Sequence, residues 1–138
     1  MSKRVYLDTN VMLDLLGERE PFYNSIAQIA TLADQKKLQI VVSPISFATV
    51  NYFLSKFEGI SAAKDKLRKF KVLSEISIID ETIIEKGLNS NFEDFEDSLQ
   101  YFCAVDAECT VILTRNAKDF KHALLPVMSA EEFINSIA

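Results

Sequence analysis

The sequence predicts an α/β fold, a three-layer α/β/α sandwich around a central, mainly parallel sheet of four or five strands. Short runs rich in β-branched residues alternate with longer segments whose apolar residues recur at helical spacing. Such repeated β-α units form parallel sheets with helices on both faces. With 138 residues, 49% of them hydrophobic and 25% charged, the chain resembles an ordinary globular domain, so we expect a single domain over residues 1–138.

The apolar runs predict strands over residues 4–8, 38–43, 76–79, 111–114 and 126–128. Helices are predicted between and after them, over residues 10–16, 44–57, 61–73, 81–88 and 94–109, with a second helix opened by Pro21 and a last one after Ser129. Ser129 and Glu132 form a capping-box pattern. In the helix over 44–57, the expected inner face is Ile45, Val50, Phe53, Leu54 and Phe57.

Composition excludes several classes of protein. No apolar run is long enough for a transmembrane helix, and Asp8 interrupts the start of the chain before a signal peptide could form. We therefore expect a cytoplasmic protein without a membrane partner. Two cysteines are too few for a disulfide framework, and a single histidine excludes a histidine-rich metal site within one chain. If the protein is an enzyme, its catalytic groups are therefore expected to be carboxylates.

Polar residues follow three of the predicted strands. In parallel sheets, ligands bind beyond the carboxyl ends of the strands, at the point where the strand order reverses. The residues at these positions are Asp8, Thr9, Asn10, Ser43, Thr114, Arg115, Asn116 and Asp119. Asp94 and Asp97 begin the long helix before the fourth strand. Because positions three apart share a helix face, both can serve one site at the same edge.

A carboxylate cluster without histidine favours a divalent cation. Converging carboxylates raise one another's pKa unless a cation holds them, and oxygen ligands suit Mg²⁺ or Mn²⁺. Such an ion activates water and neutralises charge on a phosphodiester. We therefore expect metal-dependent phosphoryl chemistry, with Asp8, Asp97, Asp94 and Asp119 as ligands. Each also has a structural interpretation: Asp8 and Asp94 as N-caps of the helices that follow them, and Asp119 as the cap of a short turn.

Three segments in this order resemble the PIN-domain family. They are Val-Tyr-Leu-Asp8-Thr-Asn-Val, Asp94-Phe-Glu-Asp97-Ser-Leu-Gln and Thr114-Arg-Asn-x-x-Asp119-Phe. The acidic helix start is similar to that of one bacterial branch of the family. The resemblance covers residues 5–133.

The resemblance implies a three-layer α/β/α fold, cleavage of single-stranded RNA with Mg²⁺ or Mn²⁺, and a homodimer. Many small bacterial members are toxins of toxin–antitoxin pairs, which makes an antitoxin protein an expected partner. By position, Asp8 matches the first acid of the family and Asp97 the helix acid, with Asp94 an additional carboxylate. Two positions depart from the pattern, because Asn51 and Asn116 stand where the family usually has acids. Asp119 would then supply charge, and we expect weak metal binding, since ligand charge drives affinity for hard cations.

Three functions are compatible with these residues. The first is a metal-dependent endoribonuclease in which water attacks the phosphodiester. In it, water, ligands or substrate would be oriented by Asn10, Thr9, Asn51, Ser43, Thr114, Arg115 and Asn116. The second is a haloacid-dehalogenase-like phosphatase with Asp8 as nucleophile, since Leu-Asp8-Thr-Asn resembles its nucleophile strand. The third is a PIN fold with a depleted site that binds a protein or RNA. The basic helix over 61–73 is the best candidate for a phosphate-backbone contact.

Overall fold

The fold is described for residues 3–137 of a computed structural model. Within these residues, the strands are β1 (Lys3–Leu7), β2 (Leu38–Val42), β3 (Ser74–Ile76), β4 (Val111–Leu113) and β5 (Val127–Met128). The helices are α1 (Thr9–Leu16), α2 (Tyr23–Asp34), α3 (Pro44–Glu58), α4 (Ile60–Val72), α5 (Glu81–Leu88), α6 (Phe95–Asp106) and α7 (Ala130–Ile137), with a 3₁₀ helix at Ala117–Phe120.

The strands form one parallel sheet in the order β3-β2-β1-β4-β5. The chain builds outward from β1 through β2 to β3, and then returns through α5 and α6 to place β4 on the other side of β1. The strand order therefore reverses between β1 and β4. In sheets of this kind, ligands bind at the carboxyl ends of the two strands that flank the reversal.

Alternation along the strands builds two apolar cores, one on each face of the sheet. Val5 and Leu7 of β1 face the core formed with α1, α2, α3, α4 and α7. Tyr6 of β1 and Ile112 of β4 face the other core, formed with α5, α6 and the 3₁₀ helix. Helices thus cover both faces, and the predicted three-layer α/β/α sandwich with a parallel five-stranded sheet is confirmed.

Local sequence signals fix several helix ends. Ser43 accepts a hydrogen bond from the backbone N–H of Ser46 at 3.2 Å and caps α3. Ser129 and Glu132 exchange side-chain to backbone hydrogen bonds at 2.8 and 3.1 Å, so the predicted capping box is confirmed. Gly59 separates α3 from α4 with a φ of 96°, a conformation that glycine adopts without the strain a Cβ would cause.

Three elements differ from the prediction by more than one residue. The third strand spans Ser74–Ile76 instead of 76–79, because it pairs with β2 in a register that ends where β2 ends. The long helix α6 stops at Asp106 instead of 109, and Glu108 just beyond it has a φ of 58° that breaks the helical path. The second helix begins at Tyr23, after a turn that contains Pro21.

The predicted inner face of the third helix is only half right. Val50 and Leu54 are buried, as expected for residues one turn apart on the core side. Phe57 is 78% exposed and Phe53 is 37% exposed, so both rings lie partly in solvent. The core side of α3 is narrower than the apolar stripe of its sequence, and the outer aromatic rings are left uncovered.

No helix of residues 3–137 combines the length and the apolarity needed to cross a bilayer.

Candidate active site

Asp8 lies directly after β1, at the carboxyl edge of the sheet, and is 6% exposed. Its carboxylate accepts three hydrogen bonds. Oδ1 accepts from the backbone N–H of Thr9 at 2.8 Å and from Gln100 Nε2 at 2.9 Å, and Oδ2 accepts from Thr114 Oγ1 at 2.8 Å. Burial raises the pKa of Asp8, and these three donors oppose the rise by favouring the ionised form. Asp8 is also the N-cap of α1, which confirms its predicted capping role, while its role as a metal ligand stays a prediction.

The β1–β4 pairing brings Thr114 to Asp8. Tyr6 and Ile112 are paired in the sheet and face the same core, so alternation sends Asp8 and Thr114 toward that face as well. The backbone N–H of Asp8 donates to the carbonyl of Leu113 at 2.9 Å, which continues the ladder up to the site. Two residues 106 positions apart thus meet at the reversal of strand order.

The start of α6 brings further carboxylates to this edge. Asp94 caps the helix and accepts a hydrogen bond from the backbone N–H of Asp97 at 3.0 Å. Partial burial, reinforced by the charges of Asp94, Asp8, Asp119 and Glu96, raises the pKa of the Asp97 carboxyl to about 7. The predicted acids therefore lie near enough to one another for their charges to interact.

A cavity of about 290 Å³ opens at the acidic residues. Its lining residues are Glu93, Asp94, Asp97, Lys118, Asp119, Lys121 and His122. Asp119 enters this cavity from the exposed 3₁₀ helix, as an ionisable neighbour of Asp97. The cavity thus combines carboxylates with two lysines beside the buried Asp8.

Thr9 and Ser43 belong to a hydroxyl network behind Asp8. Thr9 Oγ1 lies 2.8 Å from Ser46 Oγ, which lies 3.3 Å from Ser43 Oγ. Ser43 and Ser46 are both fully buried. The network ties the start of α1 to the start of α3, which fixes the backbone N–H of Thr9 that donates to Asp8.

Among residues 3–137, the side chains of the remaining predicted residues make no hydrogen bond to Asp8, Asp94, Asp97 or Asp119. Asn10 lines a groove between α1 and α3, and Asn51 accepts a hydrogen bond from Ser55 within α3. Asn116 is exposed, and its backbone N–H donates to Thr114 Oγ1 at 3.1 Å. Arg115 pairs with Asp14, Nε to Oδ2 at 2.8 Å. Roles for these side chains in orienting water or substrate stay predictions.

The donor set fits a hard divalent cation. Among residues 3–137, no three Asp, Glu, His or Cys side chains stand close enough to enclose one ion together. Asp97 nevertheless has a raised pKa because of its burial and the negative charges around it, and a nearby cation would relieve that repulsion. Mg²⁺ typically binds one or two carboxylates and keeps several waters, as does the chemically similar Mn²⁺, so a cation at this edge would need only one or two carboxylate ligands.

Two contacts at the site are not predicted from the sequence. Gln100 on α6 donates to Asp8, and the buried Asp14 pairs with Arg115. Gln100 lies three positions after Asp97 and therefore shares its helix face, a signal that could have found it. Nothing local to Asp14 points to Arg115, which lies 101 positions away.

Comparison with known proteins agrees with this architecture. A family model described as PIN domain matches residues 4–118. The chain is 31% identical over 137 residues to Ribonuclease VapC1 of Aquifex aeolicus (strain VF5), an alignment that covers 96% of this chain and 94% of that protein.

Two solved structures share the fold. VapBC2 from Rickettsia felis, crystallised with a DNA fragment from its promoter, superposes with a TM-score of 0.68 at 21% identity, covering 91% of this chain and 97% of the other. VapC20 from Mycobacterium tuberculosis, a sarcin–ricin loop cleaving toxin, superposes with a TM-score of 0.61 at 10% identity, covering 78% and 86%. The match of the family model over most of the chain and the relative at 31% identity both assign the same family: this chain belongs to the PIN domain family.

Proposed function

We propose that this protein is a metal-dependent endoribonuclease that cleaves single-stranded RNA by attack of water on a phosphodiester. The observation that carries the proposal is the presence of the Asp8 and Asp97 carboxylates at the reversal of strand order, where burial and negative neighbours raise the pKa of Asp97 to about 7. The relative named Ribonuclease VapC1 and the toxin that cleaves the sarcin–ricin loop support the same reaction class.

Each residue of the site has a defined task in this proposal. Asp8 and Asp97 would hold Mg²⁺ or Mn²⁺, with Asp94 and Asp119 adding negative charge around them. When bound, the ion supplies an activated water and neutralises charge on the phosphodiester. Three hydrogen bonds keep the Asp8 carboxylate ionised and fixed in orientation. Asp97, whose pKa is about 7, would have to be deprotonated to hold the cation.

Lys118 is the favoured contact for the RNA backbone. It lines the acidic cavity and, among residues 3–137, joins none of the ion pairs. On the basic helix α4, Lys66 pairs with Glu58 at 2.8 Å and Arg68 pairs with Asp65 at 2.9 Å, and none of its lysines lines the acidic cavity. A cation beside the reacting phosphate offsets the overall net charge of −5 at the place where RNA must approach.

A cytoplasmic toxin–antitoxin pair is the proposed setting, with a homodimer of this chain. The solved VapBC2 complex supports an antitoxin protein as partner. A groove of about 430 Å³ between α1 and α3 leaves Phe53 and Phe57 uncovered, and exposed aromatic surface of this kind favours a protein partner. A neighbouring gene that encodes a small DNA-binding protein would support the pair. Co-purification of its product with this chain, and light scattering of the free chain, test the partner and the dimer separately.

The test of the activity is cleavage of a labelled single-stranded RNA by the purified protein. We expect cleavage that needs Mg²⁺ or Mn²⁺ and stops in chelator. Asp8→Asn and Asp97→Asn are expected to abolish cleavage, each by removing one negative ligand at nearly constant volume. Asp106→Asn is the matched control, because it changes an exposed aspartate at the far end of the same helix.

Two other outcomes separate the alternatives. Full cleavage by folded Asp8→Asn would assign the activity to a contaminant or to another site. Absence of cleavage together with absence of Mn²⁺ binding by the wild-type protein would favour the binding module. Accumulation of a phosphorylated enzyme from a phosphate ester, abolished by Asp8→Asn, would favour the phosphatase.

A further inference from the structure

Gln100 is a fully buried polar side chain that contacts the candidate site from behind. It is 2% exposed and lies on α6, one turn after Asp97. Its Nε2 donates to Asp8 Oδ1 at 2.9 Å, and its Oε1 accepts from the hydroxyl of Tyr6 at 3.2 Å. Burying an amide is unfavourable unless both ends are paired, and here both ends are paired with Tyr6 of β1 and Asp8 just after it.

Tyr6 and Asp8 are reached by one side chain because of strand geometry. Residues two apart on a strand point to the same face, so Tyr6 and Asp8 both face α6. Tyr6 is 0% exposed, and its hydroxyl is held within the core. It satisfies the carbonyl end of Gln100, while the amino end faces the carboxylate. The opposite orientation would place Gln100 Oε1 against Asp8 Oδ1, two acceptors without a proton between them.

The hydrogen bonds of Asp8 leave its two oxygens unequal. A carboxylate offers about two lone pairs on each oxygen. Oδ1 accepts from Thr9 and Gln100, which uses both of its lone pairs. Oδ2 accepts only from Thr114 among the hydrogen bonds of residues 3–137, which leaves one lone pair. Gln100 therefore determines which oxygen of Asp8 is free for a cation.

We propose that Gln100, oriented by Tyr6, is a positioning residue that holds Asp8 Oδ1 and presents Oδ2 as the single oxygen for a divalent cation. This inference rests on the proposed metal-dependent function. Without Gln100, the carboxylate loses one of its two Oδ1 donors, and only Thr9 and Thr114 still restrain its rotation about χ2. A cation then has to fix more of that rotation itself, which weakens its binding.

The test is a titration with Mn²⁺ alone. Its affinity is measured from the electron paramagnetic resonance signal of the ion that stays free. We expect Gln100→Met, which keeps the volume and removes both hydrogen bonds, to weaken Mn²⁺ binding by about tenfold or more. Tyr6→Phe, which removes one hydroxyl, is expected to weaken it by about threefold. In the double variant, Tyr6→Phe is expected to add nothing to Gln100→Met, because Tyr6 acts through Gln100.

Tyr101→Phe is the matched control for Tyr6→Phe. It removes a tyrosine hydroxyl that accepts a hydrogen bond from the backbone N–H of Leu124 at 3.3 Å and makes none to Gln100 or Asp8. Its Mn²⁺ affinity is expected to equal that of the wild type. Circular dichroism checks that each variant is folded, and if Gln100→Met does not fold, the comparison of Tyr6→Phe with Tyr101→Phe decides.

Failure of this inference is distinct from failure of the proposed function. Wild-type affinity in folded Gln100→Met and Tyr6→Phe would overturn the positioning role and leave the metal site standing. A double variant that binds Mn²⁺ more weakly than Gln100→Met, by the factor that Tyr6→Phe causes alone, would also overturn the positioning role. No Mn²⁺ binding by the wild type would overturn the metal-dependent function and this inference with it.

Discussion

Arg115 is bound to Asp14, not to the carboxylates of the acidic cavity. Its Nε lies 2.8 Å from Asp14 Oδ2, and its Nη2 donates to Asp14 Oδ1 at 3.2 Å. Its guanidinium carbon also lies 4.1 Å from the centre of the Phe22 ring. Asp14 is 1% exposed, so the pair links the loop after β4 to α1 in the interior. Since Thr114 precedes Arg115, the same loop carries the hydroxyl that binds Asp8.

The Asp14–Arg115 pair is expected to stabilise the fold. Arg115→Ala leaves a buried carboxylate without its main partner, and we expect a loss of about 2–3 kcal/mol in the free energy of unfolding, below the range for fully buried pairs because Arg115 is partly exposed. Arg19→Ala is the control, since Arg19 lies 3.8 Å from Asp14 and is more exposed. We expect a loss of at most about 1 kcal/mol there. Urea denaturation measures both, and equal losses would contradict the assignment.

Thr114 is expected to matter through its hydroxyl. Thr114→Val keeps the shape but removes the hydrogen bond to Asp8 and the acceptor for the backbone N–H of Asn116. The expected loss is about 1.5–3 kcal/mol, the range for a hydrogen bond to a charged group. Thr114→Ser retains the hydroxyl and should lose less. Thermal denaturation distinguishes them, and a Thr114→Val variant as stable as the wild type would refute the role of this bond.

In the absence of a divalent cation, we expect the free energy of unfolding to fall as pH rises toward the pKa of Asp97. Its pKa is about 7 in the folded protein against an ordinary value of 3.8, so the folded state binds the proton more tightly than the unfolded chain. The contribution of Asp97 to stability is then full below about pH 4, declines as pH rises from there to about 7, and is lost above about pH 7. The charges that oppose ionisation come from Asp8 after β1, Asp94 and Glu96 at the start of α6, and Asp119 on the 3₁₀ helix.

Asp97→Asn removes this ionisation. In chelator, its stability should depend less on pH than that of the wild type and should exceed it near pH 8. Added Mn²⁺ should reduce the difference, because the ion stabilises only the protein that binds it. Denaturation at several pH values measures this, with Asp106→Asn as the control. A wild type that loses no stability relative to Asp97→Asn between about pH 5 and pH 8 would contradict the charge repulsion.

Lys118 is expected to contribute to RNA binding through charge. In the inactive Asp8→Asn background, Lys118→Ala should weaken binding of single-stranded RNA and reduce the slope of log affinity against log salt by about 0.7, the value for one phosphate contact. Lys64→Ala on α4 is the control and should leave the slope unchanged. A larger effect at Lys64 would move the RNA path to the basic helix. Fluorescence anisotropy across a salt series measures both slopes.

The sequence was sufficient to predict the layers of the fold and the neighbourhood of its acids. Both follow from local patterns: the β-α alternation fixes a parallel sheet, and the carboxyl ends of its strands fix where Asp8 and Asp119 lie. The acidic start of α6 reaches the same edge because Asp94 and Asp97 are one turn apart. These inferences needed only periodicity and the rule for ligand sites in open sheets.

Long-range pairings could not be predicted from local patterns. The contact between Gln100 and Asp8 depends on how α6 slides along β1, and the Asp14–Arg115 pair depends on the path of the loop after β4. The third strand was misplaced for a similar reason, since its register is set by the end of β2 and not by its own apolar run. The exposure of Phe57 depends on how much of α3 its neighbours cover.

The most direct test of the proposed metal site is a crystal of the protein soaked in Mn²⁺. Anomalous scattering then locates the ion. We expect a peak at about 2.1 Å from Asp8 Oδ2, within reach of the Asp97 carboxylate, with water completing the shell, and no peak in a crystal of Asp8→Asn. Manganese bound elsewhere in the wild-type crystal, or at the same place in Asp8→Asn with equal occupancy, would show that Asp8 does not anchor the ion.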